Sequence, residues 1–191
     1  MTGTRFALVA FDGMTLLDLV GMHDPLSRIS SMGFDRTAVC EIVGATGHDV
    51  WTRDGATVRV NRVRPPLDEF DVVLVAGGFS ARELVHDARV VEWLAAFPRN
   101  RLFASVCTGA LLLGAAGRLR GLRATTHATE LDQLAAYGAK PVRERIVDEG
   151  QVVTAGGVTS ALDLGIHLVR RLEGEEAARK IARQMELRGA E

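Results

Sequence analysis

The chain has 191 residues, a length that suits one domain, and 47% of them are hydrophobic, enough for a substantial single core. A formal net charge of -1 leaves no basic surplus to neutralise phosphates, so nucleic acid is not an expected partner. Two cysteines, Cys40 and Cys107, exclude a disulfide scaffold and fit a reducing cytoplasm.

Arg5 to Ala10 is a near-continuous apolar run, the pattern of a strand buried on both faces. Asp12 follows at once and no basic leader precedes, so the segment reads as a first strand and not a signal peptide. Leu16 to Ile29 reads as helix, with Leu17, Val20, Leu26 and Ile29 at mostly helical spacing. Thr37 to Gly44 is β-rich, and Asp49 to Val60 looks like a hairpin turning at Arg53-Asp54-Gly55. Asp71 to Val75 is a buried strand ending in Ala76-Gly77-Gly78, Ala81 to Ala96 a helix, and Arg101 to Val106 another buried strand. Cys107-Thr108-Gly109 then turns the chain into an apolar helix from Ala110 to Ala116. Leu122 to Thr125 reads as a short strand, Glu130 to Tyr137 as a helix and Val142 to Val147 as a strand, with Gln151 to Thr154 pairing back across Glu149-Gly150. Thr159 to Arg188 makes one or two terminal helices, which leaves a single domain over residues 1–191 as the expectation. Strands alternating with helices imply a mainly parallel sheet covered on both sides. No stretch approaches the roughly 18 apolar residues of a membrane helix.

A strand that ends in Cys107 and passes straight into a helix has the mechanics of a nucleophile elbow, at the sheet edge where open α/β folds bind ligands. The helix dipole and free N–H groups at the turn favour thiolate, and the Thr108 N–H is a natural oxyanion donor. The plainer role for Cys107 is that of a small buried hydrophobe. Gly77 and Gly78 let the backbone approach a ligand, with the Gly78 N–H a candidate second oxyanion donor; a simple βα turn needs the same residues. Asp18 lies in the apolar segment Leu16 to Val20, either on an exposed polar face or buried. Burial beside a thiolate would raise its pKa, keep it protonated and make it a proton donor. His127, after Thr125-Thr126, is a candidate partner for Cys107 or a structural residue. Cys40 reads as core. The histidines show no shared metal spacing, and no Walker or GxGxxG sequence is present, so neither a metal nor a nucleotide is expected.

With these residues in view, the chain resembles the ThiJ/PfpI superfamily (glutamine-amidotransferase-like), and within it most closely the isonitrile hydratases. The resemblance rests on Leu17-Asp18-Leu19-Val20-Gly21, Val75-Ala76-Gly77-Gly78, Ser105-Val106-Cys107-Thr108-Gly109 and Leu113-Gly114-Ala115-Ala116-Gly117. It continues through Arg123-Ala124-Thr125-Thr126-His127, Val153-Thr154-Ala155-Gly156-Gly157-Val158 and Ala161-Leu162-Asp163. Two stretches depart from the hydratase pattern: Gly21-Met22-His23-Asp24, where Gly-Pro-His-Asp is common, and Ala128, where an aromatic is common. The resemblance implies a three-layer α/β/α sandwich with a flavodoxin-like, mainly parallel sheet. It also implies attack of Cys107 on an isonitrile carbon, a thioimidate intermediate, and release of an N-substituted formamide. Asp18 would supply the proton and then activate water, the Thr108 hydroxyl would position water, and Gly77, Gly78 and His127 would shape the pocket. No cofactor is needed, and relatives are usually homodimers. Competing readings are an amidase, glyoxalase-like or protease-like hydrolase on the same fold, a redox-sensing role for Cys107, and a sensor domain like those of AraC-type regulators. The last lacks its helix-turn-helix pair here.

Overall fold

The computed structural model describes residues 3–187; Arg188, the expected end of the last helix, and Glu191, the expected end of the domain, lie outside the described residues. In chain order the elements are β1 (Arg5–Ala10), α1 (Leu16–Ser31), β2 (Val39–Gly44), β3 (Asp49–Trp51), β4 (Thr57–Arg59), β5 (Arg62–Val63) and β6 (Val72–Val75). Then follow α2 (Ala81–Leu84), α3 (Ala88–Ala95), β7 (Leu102–Val106), α4 (Gly109–Ala115), β8 (Arg123–Ala124), β9 (Lys140–Pro141), β10 (Ile146–Asp148), β11 (Val152–Ala155), α5 (Ser160–Glu173) and α6 (Glu175–Gln184). Short 3-10 turns cover Leu67–Glu69 and a longer one Ala128–Tyr137.

Seven strands form the central sheet in the order β10-β11-β7-β6-β1-β2-β5, parallel throughout except where β10 runs antiparallel to β11. The five inner strands follow the doubly wound order, with β1 and β6 flanking the point where the winding reverses. Every residue of β6, β7 and β11 is buried, which explains their unbroken apolar runs. α1, α5 and α6 pack together as one outer layer, while α2, α3, α4 and the 128–137 segment pack as the other. The fold is therefore the three-layer α/β/α sandwich. α1 and α5 approach closely because Gly21 presents no side chain: a Cβ there would stand 2.8 Å from the Ala161 Cβ.

Three expected elements differ. The helix over Ala81 to Ala96 is two helices, because the Asp87 side chain caps the second by accepting the Arg89 N–H at 3.0 Å. The Glu130 to Tyr137 helix is a 3-10 helix starting at Ala128; a hydrogen bond donated by the Gln133 side-chain amide to the Glu130 carboxylate matches its three-residue repeat. The strand over Val142 to Val147 is confined to Ile146–Asp148, since Lys140–Pro141 instead pairs with Arg123–Ala124 in a separate two-stranded sheet and Arg143, Glu144 and Arg145 are exposed. The expected hairpin is present as β3 and β4.

Candidate active site

Cys107 ends β7 on a left-handed backbone, φ 54°, a conformation that L side chains rarely adopt and that costs of order 1 kcal/mol or more. Three contacts hold this strained turn. The Cys107 N–H points at the carbonyls of Gly156 (2.8 Å) and Ala155 (3.0 Å), at the end of neighbouring β11. The Thr126 hydroxyl donates to the Cys107 carbonyl at 2.7 Å, and the Thr125 N–H donates to the Thr154 hydroxyl at 2.9 Å. The side chain stays 5% exposed.

Asp18, in the first turn of α1, is fully buried. Its Oδ2 accepts the Gly77 N–H at 3.1 Å, while Oδ1 has no hydrogen-bond partner among the described residues. A Cβ on Gly77 would lie 2.7 Å from each of Asp18 Oδ2, the Cys107 Cβ and the Thr108 N, so only glycine lets the carboxyl and the thiol flank one point. Burial raises the Asp18 pKa from 3.8 to about 6, with the Cys107 thiol and the Gly77 N–H pulling it part of the way back. Burial likewise pushes the Cys107 thiol up to about 12, and the negative charge of Asp18 adds to this. The Thr108 N–H and hydroxyl oppose both, but only weakly.

Burial and the Asp18 charge thus oppose ionisation of Cys107, while the Thr108 N–H at the start of α4 favours it. Asp18 is buried, as expected, and its carboxyl is raised by that burial, so the two groups hold each other back from ionising.

Gly78 and Thr108 meet, but not as expected. The Gly78 N–H donates to the Thr108 hydroxyl at 2.8 Å, and that hydroxyl donates back to the Gly78 carbonyl at 2.7 Å. The Gly78 N–H and the Thr108 hydroxyl proton are thus engaged with each other's residues, while the hydroxyl oxygen keeps one lone pair. Their bond locks the β6 loop to the nucleophile turn. The Thr108 N–H remains directed at the Cys107 sulfur. Of the two roles open to His127, its contacts fit the structural one: its Nδ1 pairs with the Thr129 hydroxyl at 2.9 Å, and its ring lies against Gly157. It belongs to the network of Thr129, Glu130 and Arg82, with no hydrogen bond to Cys107. Cys40 is partly buried against the core and its thiol is likewise pushed up to about 12 by burial, in keeping with a core role.

Thr126, Thr154 and Gly156, which brace the elbow, carry no expected role from the sequence, although Thr126 lies in the stretch Arg123 to His127 and Thr154 and Gly156 in Val153 to Val158, two of the stretches behind the family resemblance. Beside the elbow, Thr125, Thr126, Leu131, Gly156, Gly157 and Ser160 line a cleft of about 230 Å³. No group of three or more His, Cys, Asp or Glu among the described residues could hold a metal ion. No helix among them is long and apolar enough to cross a membrane.

Comparison with known proteins places this site in context. The chain is 31% identical to the isonitrile hydratase of Pseudomonas putida, over 95% of this chain and 78% of that protein. It is 26% identical to the HTH-type transcriptional regulator CdhR of Pseudomonas aeruginosa, of which it spans only 54%. A ThiJ/PfpI family protein from Pseudomonas syringae superposes with a TM-score of 0.87 at 30% identity, covering 98% of this chain and 76% of that one. Schizosaccharomyces pombe DJ-1 shares the fold at a TM-score of 0.83 and 18% identity, over 96% of this chain and 100% of that one. The DJ-1/PfpI family profile matches residues 4–171, and the chain belongs to the DJ-1/PfpI family.

Proposed function

We propose that this chain is an isonitrile hydratase, adding water to R–N≡C to give the formamide R–NH–CHO. The observation that carries the reading is the buried Asp18 carboxyl set beside Cys107, the two flanking Gly77. The 31% identity to a hydratase over most of the chain supports it.

An isonitrile carbon accepts a nucleophile and then requires a proton on the same carbon. As Cys107 sulfur attacks, its proton passes to Asp18, and the new S–C bond leaves an electron pair on carbon. Asp18 returns the proton there, giving the thioimidate Cys–S–CH=N–R. The regenerated carboxylate takes a proton from water as the hydroxide adds to that carbon, and passes that proton to the nitrogen. Collapse breaks the S–C bond, the hydroxyl proton returns through Asp18 to sulfur, and the formamide leaves. One carboxyl thus serves as acid and base in turn, and the covalent intermediate divides one hard addition into two easier ones.

On this reading the partner is a small-molecule isonitrile, no cofactor takes part, and the protein works in the cytoplasm as a homodimer. Four exposed apolar side chains, Leu17, Val20, Trp51 and Phe79, support the dimer; a monomeric sedimentation coefficient would dismiss it. The activity is tested by following formamide from a simple alkyl or aryl isonitrile. Wild type turns over, and Cys107→Ala and Asp18→Asn both fall by at least about a thousandfold. A wild type without turnover, or a Cys107→Ala variant as active as wild type, refutes the reading.

A further inference from the structure

At the opposite edge of the sheet, where β7 and β11 begin, the chain builds a second cleft of about 480 Å³. Three arginines line it: Arg99, Arg118 and Arg120. Arg118 is 5% exposed, an unusual state for a guanidinium, and its hydrogen bonds go only to neutral carbonyls, Phe97 at 2.6 Å and Pro98 at 3.5 Å. Its flat face lies over the Phe97 and Phe103 rings, 5.8 and 5.1 Å from their centroids. Among the described residues, no carboxylate lies within 4 Å of any of the three arginines. Glu149 is the one acid lining the cleft, and it faces Arg123 at 3.9 Å. Burial, and then the charge of Arg99, hold the Arg118 pKa below the ordinary arginine value. A buried cation with like charges beside it and no counter-ion is costly unless an anion joins it.

We propose that this cleft binds a small phosphate-type oxyanion, either inorganic phosphate or the phosphate group of a metabolite. The exposed guanidinium forks of Arg99 and Arg120 match such an oxyanion in shape and charge, and Arg118, fixed against the Phe97 and Phe103 rings, adds a buried positive charge behind them. Cys107 sits at the far, carboxyl end of β7, so the site is separate from the catalytic pair.

The test titrates the full chain with inorganic phosphate by calorimetry and thermal unfolding, against chloride at matched ionic strength. The expected result is saturable binding with a rise in Tm, weakened about tenfold in each of Arg99→Gln and Arg120→Gln, both exposed and able to change without unfolding the chain. Cys107→Ala binds as tightly as wild type. Phenyl phosphate, run in parallel, assigns the source: binding at least as tight as phosphate points to a phosphorylated metabolite, and binding of phosphate alone to the free ion. A Tm rise no larger than chloride gives, unchanged affinity in both arginine variants, or loss of binding in Cys107→Ala overturns the proposal.

Discussion

Asp18 and Cys107 each make the other harder to ionise, and two predictions follow from their shared proton. Asp18 must be ionised to receive the thiol proton, so kcat/KM for isonitrile should fall about tenfold per pH unit below about 6 and level off above it. A pH–rate profile flat down to pH 4.5 would contradict this. The second concerns stability. The Asp18 pKa rises from 3.8 unfolded to about 6 folded, so its contribution is full below 3.8 and is lost as pH rises through 6. Burying the charged form then costs on the order of 3 kcal/mol, so Asp18→Asn should be about 1–3 kcal/mol more stable than wild type at pH 8 in urea unfolding. The gain should vanish near pH 4; a variant less stable at pH 8 would refute the account. Cys107 and Asp18 were legible because each breaks a local pattern, a cysteine at a strand end and an acid among leucines. Their ionisation was not legible. It depends on how completely α1 and the β6 loop close over the pair, which no local segment encodes.

The site is assembled by a loop and a turn that are tied to one another. The Thr108 hydroxyl satisfies both the N–H and the carbonyl of Gly78, and removing it strands two buried backbone groups. Thr108→Val should therefore cost about 2–4 kcal/mol and lower kcat, while Thr108→Ser keeps both; equal stability of the valine variant, by chemical denaturation, would show the bond to be idle. Gly77→Ala should lose both activity and stability, because its methyl would press at 2.7 Å on Asp18, the Cys107 Cβ and the Thr108 backbone N together. Crippled turnover with a lowered Tm is the expected signature, and full activity or an unchanged Tm would contradict it. At this scale the long apolar strands and α1 could be read from periodicity, since burial on both faces leaves an unbroken pattern. The break before α3 could not, because helical spacing runs through it and the Asp87 cap decides it. The Gly78–Thr108 bond joins residues 30 apart, which periodicity does not report.

Across the molecule, the doubly wound sheet brings three chain-distant pieces to one edge. Asp18 enters after β1, Gly77 and Gly78 after β6, and Cys107 after β7, around the reversal of winding. Alternating strands and helices predicted the parallel sheet and its two covers, but the strand order, with β11 beside β7 and β2 beside β1, follows from packing alone. The second arginine cleft at the other edge was invisible in the sequence, since Arg99, Arg118 and Arg120 look like ordinary surface charge until Arg118 is found buried. The central claim is that a Cys107 thioimidate lies on the path, and intact mass of protein quenched during turnover tests it most directly. The account predicts a transient gain equal to the mass of one whole isonitrile, mapped to Cys107 and absent in Cys107→Ala. Formamide accumulating with no adduct at any quench time, or an adduct that persists in Cys107→Ala, would contradict it.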